Sequence, residues 1–322
     1  ASECQNEPLS IALADAGILT AEQITNKLNG YERGLVPSDA THLTAFIDVS
    51  QKVLWWMVCA WTPEFTGYIV DYGAFPDQRR NYYTLAEVTK TLEELSKDGI
   101  EAQVREGLNW LTTQLLAKEW KHDGGGTLKV GRCMIDANWS PSTDAVYQFC
   151  RQSPHAAVLL PTHGKGIGAK AAAMSSWQTK DGEQAGINWR IRRTTERRAP
   201  IRHGIIDTNF WKSFVHARLF QGLGSRGCLS LFKVDAPVMH QMLADQLTAE
   251  KRQTMEAGGS GRRVEEWDLV NMNRDNHWLD CLVGCAVGAS MLGASLKEHN
   301  TAAKRLAPHE RPTAQQLRNR GR

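Results

Sequence analysis

The sequence predicts an α/β fold, a mixed sheet flanked by helices, and three stretches carry that expectation. Leu43 to Gly73 holds three apolar, β-branched and aromatic runs with short connections, the pattern of an antiparallel meander. Arg132 to Asn138 reads as a strand ending in Asp136 just before a helix, where open α/β sheets usually expose functional groups. Asp275 to Leu292 reads as a late helix, capped by Asn276 and almost wholly apolar beyond a first turn that carries Asp275, His277 and Asp280. A helix that apolar must be buried, which leaves its charged first turn at the edge of a core.

The elements follow in order. Thr20 caps a short helix over Ala21 to Leu28, with Gln23 in its first turn and Gly30 as its stop. Residues 1–40 otherwise read as a connector arm, 41–296 as one domain, and 297–322 as a basic, disordered tail. The meander strands are Leu43 to Val49, Val53 to Trp61 and Tyr68 to Gly73; Trp55, Trp56 and Trp61 lie within strand-like runs and read as core. Asp48 sits inside the first strand, where an unpartnered buried carboxylate would cost several kcal/mol, so it must face a cleft, a cation or the strand's open end. Leu85 to Leu95 and Val104 to Trp120 have helical apolar spacing, and Gly124-Gly125-Gly126 ends that region. After the Asp136 strand and its helix come a strand at Ala156 to Pro161 and a long segment, Thr162 to Gly186, without periodicity. His163-Gly164-Lys165-Gly166-Ile167-Gly168 lacks the spacing of a phosphate loop. Strands at Ile187 to Ile191 and Ile201 to Ile206, helices at Phe210 to Phe220 and Pro237 to Leu247, and a hairpin around Gly258 to Gly261 complete the list.

Hydrophobic residues at 42% and charged residues at 23% describe a globular chain, and no apolar run reaches the roughly 18 residues of a membrane span without interruption. Ala1 is followed by no leader-like segment, and its identity suggests a piece of a longer protein. Seven cysteines without CxxC or zinc-ligand spacing read as small buried hydrophobes in a reducing compartment. The net charge of +3 is small, but basic residues cluster in Trp189 to Arg202 and again beyond Lys304, a modest signal for polyanion binding.

Acidic residues on the first strand, a later strand and a late helix can converge at one sheet edge. Their hard oxygens suit two Mg²⁺ or Mn²⁺ ions, which can activate water and stabilise the leaving oxygen of a phosphodiester; neither cysteine nor a histidine cluster is offered to favour zinc.

FIDV (Phe46 to Val49), MIDANW (Met134 to Trp139), VYQFCRQS (Val146 to Ser153), DTNFWKS (Asp207 to Ser213), LTAE (Leu247 to Glu250) and NHWLDC (Asn276 to Cys281) occur in this order. Together they resemble the endonuclease half of phage terminase large subunits of the GpA type, from about Thr20 to Met291. The resemblance implies an RNase H-like nuclease that cuts concatemeric viral DNA during packaging in the host cytoplasm. Asp48, Asp136 and Asp280 would be the metal-binding carboxylates. It also implies double-stranded DNA, a terminase ATPase part, a small subunit and a portal protein as partners. The sequence has no Walker motifs, so ATP hydrolysis is not expected of this chain. His277, Asp275 and Asp71 are possible accessory residues, with His277 equally suited to packing or to contact with DNA or water. Asp71, Asp207 and Glu250 are reserves for the acidic site, with Asp207 read first as a helix cap and Glu250 as solvated. Arg190, Arg192, Arg193, Arg197 and Arg198 would hold phosphates. Another RNase H-like enzyme, such as a resolvase, and a non-catalytic docking module of a packaging complex are the competing readings.

Overall fold

A computed structural model describes residues 19–194, 200–258 and 261–296, so Arg197, Arg198 and the 297–322 tail lie outside the described residues. Helix α1 (Ala21–Thr25) opens with the reciprocal cap expected of Thr20 and Gln23, each side chain accepting from the other's backbone N–H. Ile24 and Val36 are fully buried, so this early segment packs onto the main body.

β1 (His42–Val49) is buried nearly throughout because helices cover both faces of the sheet. β2 (Leu54–Trp61) and β3 (Gly67–Phe75) follow antiparallel, with Asp48 opposite Trp55. Leu85 to Leu95 is not the helix its spacing predicts. It forms only two 3₁₀ turns, Leu85–Glu87 and Leu92–Glu94, each closed by its own capping box, with extended backbone at Val88 between them. Helix α2 (Ile100–Leu116) buries Val104, Leu108, Leu111 and Leu115 on one stripe. A small hairpin, β4 (Trp120–Lys121) and β5 (Thr127–Leu128), leads to β6 (Arg132–Asp136), parallel to β1. Helix α3 (Thr143–Gln152) and β7 (Leu159–Lys165) come next, the strand beginning and ending later than its apolar run suggests.

The sheet then extends through β8 (Gln184–Gly186), β9 (Trp189–Arg193) and β10 (Arg202–Asp207), which pairs parallel to β7. Helix α4 (Thr208–Phe220) is capped by Asp207 as the sequence predicts, its carboxylate accepting from Phe210 N. β11 (Leu229–Leu231), helix α5 (Gln241–Leu247), the hairpin β12 (Glu250–Glu256) and β13 (Arg263–Leu269), and helix α6 (His277–Met291) are the remaining elements among the described residues. The nine-stranded order is β11-β3-β2-β1-β6-β7-β10-β9-β8. An antiparallel β1-β2-β3 meander with β6 and β7 added parallel on the far side of β1 is the RNase H-like arrangement.

α2 and α3 cover one face; α4, α5 and α6 cover the other. Side chains alternate along strands, so Ala45 and Ile47 face α2 while Phe46, and with it Asp48, faces α6. β6 repeats the pattern, with Met134 and Asp136 on the α6 side. The helix lies so close that a Cβ added at Gly284 would meet Phe46 Cδ2 at 1.8 Å. Full burial of Leu279, Leu282 and Val287 contributes roughly 2 kcal/mol apiece to seating it. Among the described residues no helix is long and apolar enough to cross a membrane.

Candidate functional site

Both aspartate-bearing strands end at the edge of the sheet where α6 begins. Asp48 is 8% exposed, and His277 Nδ1 donates to its Oδ2 at 2.6 Å. The His277 ring lies flat against Trp55, centroids 5.0 Å apart at 7°, so one side of the imidazole packs while the other serves the carboxylate. Burial alone would lower the His277 pKa, but the Asp48 hydrogen bond and charge, helped by Asp275 and Asp280, carry it above its ordinary value. Asp136 accepts from Asn138 N at 3.2 Å. Burial first, then repulsion from Asp48 and Asp280, pushes the Asp136 carboxyl well above the usual range. Asp280 is driven to about 6 by burial, with Lys212 opposing and Asp48 and Glu250 adding to the rise. The three sequence-predicted aspartates therefore feel one another's charge at one edge.

Two further residues complete the constellation: Lys212, which the sequence reading did not single out, and Glu250, which it held in reserve but read as solvated. Lys212, buried on α4, donates to Glu250 Oε1 at 2.5 Å and lies 3.4 Å from Asp280 Oδ1. Burial would lower its pKa, but Asp280 and Glu250 together raise it. Glu250 is not solvated; it is 7% exposed because it begins β12 against the α4 and α6 layer. Its Oε1 also accepts from Asn276 Nδ2 at 2.6 Å, while Oε2 is sealed from solvent without a hydrogen-bond partner. Asn276 thus spends its amide on Glu250 rather than on capping α6, and Trp278 N donates instead to Gln246 Oε1 from α5. The signal that could have found Lys212 is a lysine set among Phe210, Trp211 and Phe214 on one helix, since a buried ammonium needs carboxylates.

The accessory assignments divide. Asp275 Oδ2 accepts from Leu85 N at 2.6 Å, holding the first 3₁₀ turn. Asp71 is tied to Arg33 at 2.6 Å and to Lys118 at 3.9 Å, a separate ion-pair group on β3. Arg190 is no phosphate contact: it is 4% exposed, and its guanidinium donates to Thr179 Oγ1, Met174 O and Trp177 O. The segment between β7 and β8 folds over β9 and consumes it. Arg192, on the same side, pairs with Glu183 at 3.1 Å and stacks over Trp177, whereas Arg193 is exposed. Behind Asp136, Tyr147 OH donates to His163 Nε2 at 2.6 Å and His163 Nδ1 to Asn138 Oδ1 at 3.0 Å, propping the turn that follows the aspartate.

Among the described residues no group of three or more His, Cys, Asp or Glu forms a ready-made metal shell. The donor chemistry nevertheless fits a hard divalent cation. Carboxylates crowd together at the cost of raised proton affinity, one buried carboxylate oxygen is orphaned, and Lys212 supplies the positive charge that these groups require. The six described cysteines are free and buried away from any such role.

A search of curated proteins returned no match. A mutant nuclease domain of the large terminase subunit gp2 of bacterial virus Sf6, with manganese, aligns at 12% identity and a TM-score of 0.44. That alignment covers 84% of this chain and 98% of the other, and it is too distant to transfer residue roles. The model of the terminase large subunit gpA endonuclease domain matches residues 14–301, and the chain belongs to that family.

Proposed function

We propose that this chain is a metal-dependent DNA endonuclease that cuts concatemeric viral DNA during genome packaging in the host cytoplasm. The observation that supports this reading is the mutual charge coupling of Asp48, Asp136 and Asp280, drawn from β1, β6 and α6, beside the orphaned Glu250 oxygen. The three aspartates would hold two Mg²⁺ or Mn²⁺ ions, with Glu250 as a further donor. Such ions, when bound, supply Lewis acidity and an activated water for phosphodiester hydrolysis.

The protein's own residues divide the remaining work. His277 fixes the orientation of the Asp48 carboxylate and keeps its proton on Nδ1. Asn138 N and the Tyr147–His163 pair hold the Asp136 turn. Lys212 keeps Glu250 and Asp280 from repelling each other and leaves both within reach of a stronger cation. Of the arginines singled out in the sequence, Arg193 is exposed and would meet a phosphate, as would Arg192 on release from Glu183; Arg197 and Arg198, outside the described residues, are proposed for the same role from sequence alone. An ATPase part, a small subunit and a portal protein would complete the packaging assembly.

The test is relaxation of supercoiled plasmid with Mg²⁺, Mn²⁺ or EDTA, beside Asp48→Asn, Asp136→Asn and Asp280→Asn proteins shown to fold. Cleavage that needs metal and disappears in all three variants is expected. A folded parent that neither cleaves with any metal nor gains thermal stability from it would sink the reading in favour of a non-catalytic docking module.

A further inference from the structure

Arg218 sits on the last turn of α4, 7% exposed, six residues beyond Lys212. Among the described residues it has, unlike Lys212, no carboxylate partner: its Nε is sealed from solvent with no hydrogen-bond partner, and burial lowers its pKa to about 10. Its guanidinium lies over the Phe214 ring at 4.0 Å, a contact that offsets only part of the desolvation. The carboxyl end of a helix favours a cation, but that place is already taken, since Lys27 Nζ donates to Gln221 O there. A forked cation kept in a buried position with no carboxylate beside it among the described residues requires some other explanation.

Arg218 lines a cleft of about 220 Å³ with Glu64, Gln221, Arg226, Gly227 and Leu296. Glu64 is paired with Arg226 at 3.0 Å, so the described lining carries two guanidiniums and one carboxylate. We propose that this cleft is a binding site for a small oxyanion, anchored by Arg218, with Arg226 as its second cation. A phosphate or a carboxylate matches the fork of donors, and the volume is below that of clefts that enclose whole drug-sized ligands or cofactors. None of the residues around Asp48, Asp136 and Asp280 lines it, so the site stands or falls independently of the nuclease reading.

Thermal melts at matched ionic strength in chloride, inorganic phosphate and acetate test this on the parent and on Arg218→Met and Arg218→Lys. In phosphate or acetate the parent gains roughly 3 °C more than Arg218→Met at tenfold saturation, and Arg218→Lys, which keeps the charge but loses the fork, gains less than half the parent's increment. A response to phosphate alone assigns the site to a phosphorylated ligand and a response to acetate assigns it to an acidic side chain; both support it. In chloride Arg218→Met melts no lower than the parent, because the charge removed is buried with no carboxylate beside it among the described residues. Equal increments in parent and variants, or an Arg218→Met protein that melts far below the parent in every buffer, would overturn it.

Discussion

The two ends of α6 meet the same sheet by opposite means. From Cys281 to Ala289 the helix is apolar and small, and Gly284 lets its backbone press onto Phe46. Its first turn instead brings His277 and Asp280 to Asp48, Asp136, Glu250 and Lys212, where burial and like charge raise the proton affinity of two aspartates. One end is fastened at low energy; the other is held in an unfavourable electrostatic state by that fastening. The fastened end is what makes the crowded end tolerable.

Asp136→Asn tests the crowded end most severely. Cleavage should fall at least about 1,000-fold, roughly 4 kcal/mol in barrier, while the metal-free melting temperature stays level or rises because a disfavoured charge is removed. A melting temperature several degrees lower would mean that the carboxylate stabilises the fold. Lys212→Met removes the cation between two carboxylates, which should cost about 3 kcal/mol in EDTA by denaturant titration and be partly restored by Mn²⁺. Absence of any Mn²⁺ recovery would separate the lysine from the proposed ion site. Gly284→Ala attacks the fastened end: the methyl group meets Phe46, and overpacking should cost about 2 kcal/mol and lower cleavage by displacing Asp48 two residues along β1. Full activity at reduced stability would show that the two ends are uncoupled.

The smallest effect is in pH. Asp280 has a folded pKa of about 6, above its ordinary value, so its protonated form favours the folded state and that stability is lost as pH rises through about 6. Asp136 shifts in the same direction, and the raised His277 pKa likewise contributes stability at low pH that is lost as pH climbs. In EDTA the parent should therefore lose more stability between pH 5.5 and pH 8 than Asp280→Asn does. Mn²⁺ competes with those protons and should stabilise more at pH 8 than at pH 5.5. Identical pH responses in the two proteins would remove Asp280 from the coupled group.

Asp48 and Asp136 were legible in the sequence because period-two alternation assigns a strand residue to a face, and both share that face with Phe46 and Met134. Asp280 was legible because a charged first turn on an apolar helix has few other places to go. Lys212 and Glu250 were not, since each acquires its meaning only from the other across tertiary space. The arginine run misled for a related reason. Sequence shows Arg190 to Arg193 as one basic block, but the segment before β8 covers Arg190 and Arg192 and leaves Arg193 outside. At Leu85 to Leu95 the apolar spacing was helical, yet two self-contained capping boxes closed each turn before a helix could propagate.

The hydrogen bond between His277 and Asp48 spans 229 positions of the chain. Such a contact forms late in folding, since closing so long a loop costs entropy before any contact rewards it. During synthesis the first strand leaves the ribosome well before α6 exists, so the growing polypeptide carries Asp48 and Asp136 without Asp280. The sheet can be built first, and the carboxylate group is completed only when α6 docks.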